Sequence, residues 1–344
     1  MRVRLSAVLF AVCFWAAADN GASVNSVVAA VRTSISRKRK DAELAASLDK
    51  MKLAQHLEDR VIEILESEGA GAQTLGALQR MRDASRLFPV PPDTPPGMTP
   101  PPPPSSTEEQ QVWQATGSRA LDYTRSLPDF ICSETIHRWT DPDGKEEWQP
   151  TPTVVADLTF FDGNEHYKLL TIDGKPSRQS LLEVGGAMSQ GEFGSMLATI
   201  FNPSSDTDYR WDHWTTLRKR PTYVYFFRIT AAHRPQRLQF VITGGESVTA
   251  AVGQHGYVYI DRETNWVTRI SAEAEEIPTG FPIQKSSAVL DYDYADVGGR
   301  RFLLPLRAEV RIDAGKRQSL NTVEFQKYRK FAAAATVSFE AGKK

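Results

Sequence analysis

Six histidines, His56, His137, His166, His213, His233 and His255, are the first residues to test for chemistry. A helix-borne zinc site needs two imidazoles one turn apart, as in HExxH, and no two of these lie within a turn of each other. There is no Walker loop, no GxGxxG and no GxSxG elbow. Ser47 to Lys50, "SLDK", matches SxxK in form but lacks companion motifs and sits in a helical pattern. "DPDGKEE", with Asp141, Asp143 and Gly144, departs from the spacing of a calcium loop and reads as a β-turn. Asp157 and Asp212 are carboxylates that only a fold could pair. "WDHWTTLRKR" joins Trp211, His213 and Trp214 to Arg218, Lys219 and Arg220; an anion or glycan site is one reading, a strand followed by a solvated turn before Pro221 the other. No catalytic residue, metal ligand or cofactor is assigned, and an enzyme is unsupported.

What remains is apolar. "SQGEFGSMLATIFNPSS", residues 189 to 205, opens with a capping box of Ser189 and Glu192 and ends at Asn202 and Pro203. Between them Phe193, Met196, Leu197, Ile200 and Phe201 fall at i, i+3, i+4, i+7 and i+8, a stripe that must lie on another apolar surface. In "TYVYFFRIT" Tyr223, Tyr225 and Phe227 share one strand face. These eight residues are the candidate lining of a ligand site, with plain core as the alternative.

The elements around them follow from composition and periodicity. The chain has 344 residues, 41% hydrophobic and 24% charged, with a formal net charge of -1. That charge gives no electrostatic case for nucleic acid or an anionic membrane. Arg2 and Arg4 precede an apolar run from Leu5 to Ala18, which reads as a secretory signal peptide cleaved near Ala18. The run is short for a membrane span, and no second apolar segment follows, so a periplasmic or secreted protein is expected, with an uncleaved anchor or a lipoprotein as the alternative. Cleavage would leave Cys132 as the one cysteine, without an internal disulfide, and its alternation with Phe130 reads as a buried strand thiol.

Between Pro89 and Pro104, ten of sixteen residues are proline, a composition for extended polyproline II that reads as a spacer, with recognition by an aromatic groove in a partner as the alternative. The expected order is a signal peptide at 1–18, a helical segment at 19–88, a proline-rich linker at 89–107 and a β domain at 108–344. In the helical segment Val24, Val27, Val28, Val31 and Ile35 form one stripe, Leu53, Leu57, Val61, Ile64 and Leu65 a second, and Thr74 caps a third helix over Leu75, Leu78 and Met81. Two or three helices make a hairpin or bundle. "RKRK" at 37–40 precedes Asp41 and Glu43 and reads as a solvated helix end.

After a helix in "QVWQATGSRALDYTRSL" the period becomes two. About ten short strands alternate with "DPDG", "DGN" and "DGK" turns, joined mainly as hairpins. The fold class is α+β, its sheet antiparallel and strongly curved or closed. "TVVADLTFF" is partly apolar on both faces, as where a sheet is covered or lines a cavity.

"GYVYIDRETNWVTRISAEAEE" followed by "VLDYDYADVGGRRFLLPLRAEVRI" resembles the paired strands of the outer-membrane lipoprotein carrier superfamily, LolA-like and including MucB/RseB-type sensor domains. Ile260, Asp261, Thr264, Tyr292, Tyr294, Gly298, Gly299, Leu304 and Pro305 carry the resemblance, which spans about residues 113–331. The arrangement also resembles a group of exported bacterial proteins of uncharacterised function. The resemblance implies a half-open β-barrel with a short helix across its mouth. The expected function is a non-enzymatic binding or carrier-like module for an apolar or lipid-like ligand. The alternatives are an envelope interaction or sensor protein with a filled barrel, and an unrecognised enzyme. Expected partners are a hydrophobic ligand or an envelope protein.

Overall fold

The computed structural model describes residues 21–92, 101–145, 147–179, 184, 193–241 and 247–331. The expected signal peptide, and the capping box of Ser189 and Glu192, lie outside them. Two compact units are present, residues 1–101 with 215–220, and residues 102–214 with 221–344.

The first unit holds four helices: α1 (Val24–Ser36), α2 (Asp41–Leu48), α3 (Asp59–Ser67) and α4 (Ala72–Ala84). Val24, Val27, Val28 and Val31 are buried with Leu44, Leu48, Val61, Leu65, Leu75 and Leu78 in one core. The stripe expected to run from Leu53 through Leu65 is split. Leu53 pairs as an extended residue with Ala22, and the Leu57 N–H donates to Ser85 Oγ, so the helix starts only at Asp59. Thr74 is not the cap of α4. Gly71 is, and the Asp41 carboxylate reaches across from α2 to accept from Gln73 N, Thr74 N and the Thr74 hydroxyl. A negative group on orphan amides at a helix N-terminus offsets both their desolvation and the helix dipole. Asp41→Ala is expected to cost this unit about 1–2 kcal/mol, measured as a lower urea midpoint; an unchanged midpoint would mean water replaces the cap.

The second unit opens with α5 (Ser106–Ser126), which starts inside the stretch expected to be linker because Ser105 accepts from Glu108 N as its N-cap. Then come β1 (Phe130–Asp141), β2 (Gln149–Phe161), β3 (Asn164–Ile172), β4 (Lys175–Pro176) and α6 (Ser195–Phe201). After a 3₁₀ turn follow β5 (Asp208–Leu217), β6 (Arg220–Ile229), β7 (Gln236–Val241), β8 (Ser247–Asp261), β9 (Val267–Glu275), β10 (Lys285–Val297), β11 (Arg300–Ala314) and β12 (Arg317–Lys330). The strands form one twelve-stranded sheet in the order β4-β3-β2-β1-β12-β11-β10-β9-β8-β6-β5, with β7 also on β8. Among the described residues these strands pair antiparallel and the sheet is not closed.

Local turn chemistry makes the hairpins. Asp162 and Gly163 (φ 51° and 74°), and Asp173 and Gly174 (φ 47° and 71°), are the paired left-handed residues of two-residue turns whose twist matches the flanking strands. The long-range step is β1 beside β12, which joins the two hairpin series. β8 starts well before "GYVYID", and its length lets β6 pair with Gln254–Asp261 and β7 with Ser247–Val252 along the same edge.

Between Asp291 and Tyr292 the register slips against β11, so that Leu306 is an extra residue pushed outward. Two tyrosines hold this bulge: the Tyr123 hydroxyl donates to the Leu303 carbonyl (2.9 Å) and the Tyr328 hydroxyl to the Pro305 carbonyl (2.6 Å). The "LP" pattern of the sequence is therefore a strand bend with an assigned partner for each bent-out carbonyl.

Candidate functional site

The face of the sheet carrying Val154, Ala156, Leu158 and Phe160 on β2 is the buried one, while Val155, Asp157 and Thr159 are half-buried and Phe161 is exposed. On this face one apolar cluster runs from β2 to β6 and includes residues of α5 and α6.

α5 lies across the strands. The Trp113 ring is 5.7 Å from Tyr225 on β6, and the Tyr123 ring is 5.9 Å from Tyr292 on β10. Ten helical residues advance about 15 Å, and the three strand steps from β6 to β10 cover about 14 Å. α6 runs back antiparallel to α5, with Gly194 beside Thr124 and Phe201 beside Gly117 and Trp113. Gly194 has φ 133°, and any side chain there would overlap Thr124, so glycine is required twice over.

Seven of the eight expected lining residues are buried in this one cluster: Phe193, Leu197, Ile200, Phe201, Tyr223, Tyr225 and Phe227; Met196 is partly buried against it. Two aromatic groups form around Phe193 and Phe201. Phe193 packs on Phe130 (5.3 Å), Phe160 (6.0 Å) and Phe325 (5.8 Å, edge-on). Phe201 packs on Trp113 (4.7 Å), which stacks flat on Tyr209 (4.1 Å) and meets Tyr225. Alternation along β1, β5 and β12 carried a signal for Phe130, Tyr209 and Phe325 that the expected site did not use.

Both ends of α6 are tied by polar groups. Phe193 N donates to Glu165 Oε1 (3.3 Å), and its carbonyl accepts from the Thr124 hydroxyl (3.1 Å). At the other end the Ser205 hydroxyl bonds the Thr199 carbonyl and the Thr207 hydroxyl the Ile200 carbonyl. These contacts satisfy carbonyls that a seven-residue helix leaves without a partner.

Cys132, Tyr123, Tyr328 and Tyr223, around this cluster, are held neutral. Desolvation pushes the Cys132 thiol well up, as for a buried strand thiol, and raises the Tyr328 and Tyr123 hydroxyls likewise. Tyr223 is pushed up to about 12 by burial and by its hydrogen bond to Glu108 Oε1 (2.6 Å). A tyrosine raised above its ordinary value near 10 adds stability that is complete below about pH 10. That stability is lost as pH rises towards about 12. Urea midpoints are thus expected to be level below about pH 10 and to fall above it, with a shallower fall in Tyr223→Phe; equal slopes in the two chains would refute the assignment.

The other chemistry-bearing residues have structural partners. Ser47 Oγ donates to the Glu43 carbonyl, and Asp141 Oδ1 accepts from Asp143 N and Gly144 N, closing a turn. Asp261 does the same for Glu263 N and Thr264 N between β8 and β9. His213 bonds Asp212 (2.7 Å), and Trp214 is buried against Tyr223 rather than presented to solvent. Among the described residues no group of three His, Cys, Asp or Glu side chains could hold a metal ion.

The chain is similar in structure to LolA-superfamily and DUF1329 proteins. A DUF1329 family protein from Desulfovibrio piger matches with 9% identity and a TM-score of 0.33, over 65% of this chain and 93% of that one. A LolA superfamily protein from Nitrosomonas europaea matches at 9% and 0.25, over 65% and 93%. A putative outer membrane lipoprotein-sorting protein domain from Vibrio parahaemolyticus matches at 7% and 0.28, over 64% and 90%. No protein-family model and no curated protein matches the chain. No residue role is carried over from these likenesses. Among the described residues no helix is long and apolar enough to cross a membrane.

Proposed function

We propose that the chain is an exported, non-enzymatic binding or carrier-like module for an apolar or lipid-like ligand. In this reading the open sheet curves as a half-barrel, α6 lies across its mouth, and the ligand takes the place of α6 against Tyr223, Tyr225 and Phe227. The observation that supports it is the single apolar cluster shared by α5, α6 and the sheet from β2 to β6, far more aromatic than a strand-helix contact needs. Mass spectrometry of organic extracts from protein purified out of its native envelope, with titration of a hydrophobic fluorescent probe, tests it. Co-purifying lipid and saturable probe binding are expected; neither lipid nor a fluorescence change would remove the reading.

A second reading rests on the packing of Phe193 and Phe201 and on the tied ends of α6: a permanently filled interior in an envelope interaction or sensor protein. Replacing Met196 and Ile200 by Asn separates the two. A lid changes probe binding more than stability, and a plug the reverse.

A further inference from the structure

The proline-rich run does not reach α5 as a free spacer. The Pro102 carbonyl accepts from Trp214 Nε1 at 2.9 Å, and Pro104 is buried. The Trp214 ring lies 4.5 Å from the Tyr223 ring, and the Arg262 guanidinium sits 5.0 Å over its face. Trp211 meets its edge at 6.2 Å. Just beyond the prolines, Glu108 accepts from the Tyr223 hydroxyl at 2.6 Å.

A polyproline II strand has no internal hydrogen bonds and no N–H to offer. It can be read by flat aromatic surface against its rings and by a donor aimed at a carbonyl. Indole is donor-only and supplies both at once. The strand is already extended before docking, so little chain entropy is lost. Trp214 is 7% exposed, and its N–H is satisfied by a proline carbonyl rather than by a neighbouring strand.

We propose that Trp214, Tyr223 and Arg262 form a polyproline-recognition site. In this conformation it is filled by the chain's own Pro102–Pro104, and it takes a proline-rich segment of another polypeptide when that strap is displaced. The same contacts fix where α5 begins, because Tyr223 holds both the strap's aromatic neighbour and Glu108 in the first turn of the helix. The site shares Tyr223 with the proposed ligand face, but it requires no apolar ligand under α6.

The test uses the full chain labelled with 5-fluorotryptophan and a synthetic peptide of residues 98–106, MTPPPPPSS. In the variant carrying Pro102→Gly, Pro103→Ser and Pro104→Gly the site is vacated. The peptide is then expected to shift the Trp214 fluorine resonance saturably and leave those of Trp139 and Trp148 in place; loss of a resonance in Trp214→Phe assigns it. By calorimetry, adding Trp214→Phe to the strap variant should weaken the peptide about tenfold, the size of one buried hydrogen bond. If the strap variant melts like the parent yet the peptide leaves Trp214 unmoved, or if Trp214→Phe binds the peptide as well, the proposal is overturned. Should the strap variant fail to fold, excess peptide on the parent must speed hydrogen exchange at Ser105–Glu109; unchanged exchange would also overturn it.

Discussion

Phe193→Ala is expected to lower the unfolding free energy by about 3–5 kcal/mol, the range for removing a buried aromatic ring where the surroundings collapse only in part. Phe193 is 2% exposed and touches three other phenylalanines, Phe130 on β1, Phe160 on β2 and Phe325 on β12. Those strands belong to the two ends of the β series, so the ring fills the seam where the sheet is assembled from distant segments. Denaturant unfolding measures the loss. A loss under about 1 kcal/mol, accompanied by stronger probe binding, would show that the α6 segment leaves its seat readily and would favour a lid. The full loss with a silent probe would favour the filled interior.

The second large effect lies on the opposite face of the sheet. Arg269 on β9 and Asp291 on β10 are register partners. They form a two-pronged pair, Nε to Oδ1 at 2.7 Å and Nη2 to Oδ2 at 3.0 Å, with side chains only 7% and 4% exposed. Asp291→Ala removes both bonds of this buried charge pair and is expected to cost about 3–5 kcal/mol. Exchanging both residues together, Arg269→Met with Asp291→Leu, should recover most of that, because the pair's own desolvation cost disappears with it. Chemical denaturation of the single and double variants checks this. A double variant as unstable as the single one would mean the pair sets strand register rather than only balancing charge.

Much of the β architecture was legible because it is local. The "DGN" and "DGK" turns became tight hairpins since only residues that tolerate positive φ fit there. Alternation puts Val154, Ala156, Leu158 and Phe160 on one face of β2, while which of its two partly apolar faces is buried came only from the fold. Periodicity also picked out eight apolar residues, and seven of them are buried together in one cluster. Less legible were features with competing local meanings. Leu53 and Leu57 continue a helical stripe on paper, yet a bridge to Ala22 and a hydrogen bond to Ser85 take them into extended chain. Thr74 had the chemistry of a cap, but Asp41, distant in sequence, supplied a stronger one.

The sequence by itself determined the helical first unit, the antiparallel hairpins and the apolar stripe of residues 193–201, because side-chain period and turn chemistry act over a few residues. Only the tertiary structure decided that β1 lies beside β12, that α5 crosses the strands with α6 antiparallel to it, and that the last prolines dock on Trp214. Those outcomes depend on which apolar faces and which donors find each other across distant parts of the chain. Pattern in a single strand or helix states that a partner is needed; the packing of the whole chain selects which one.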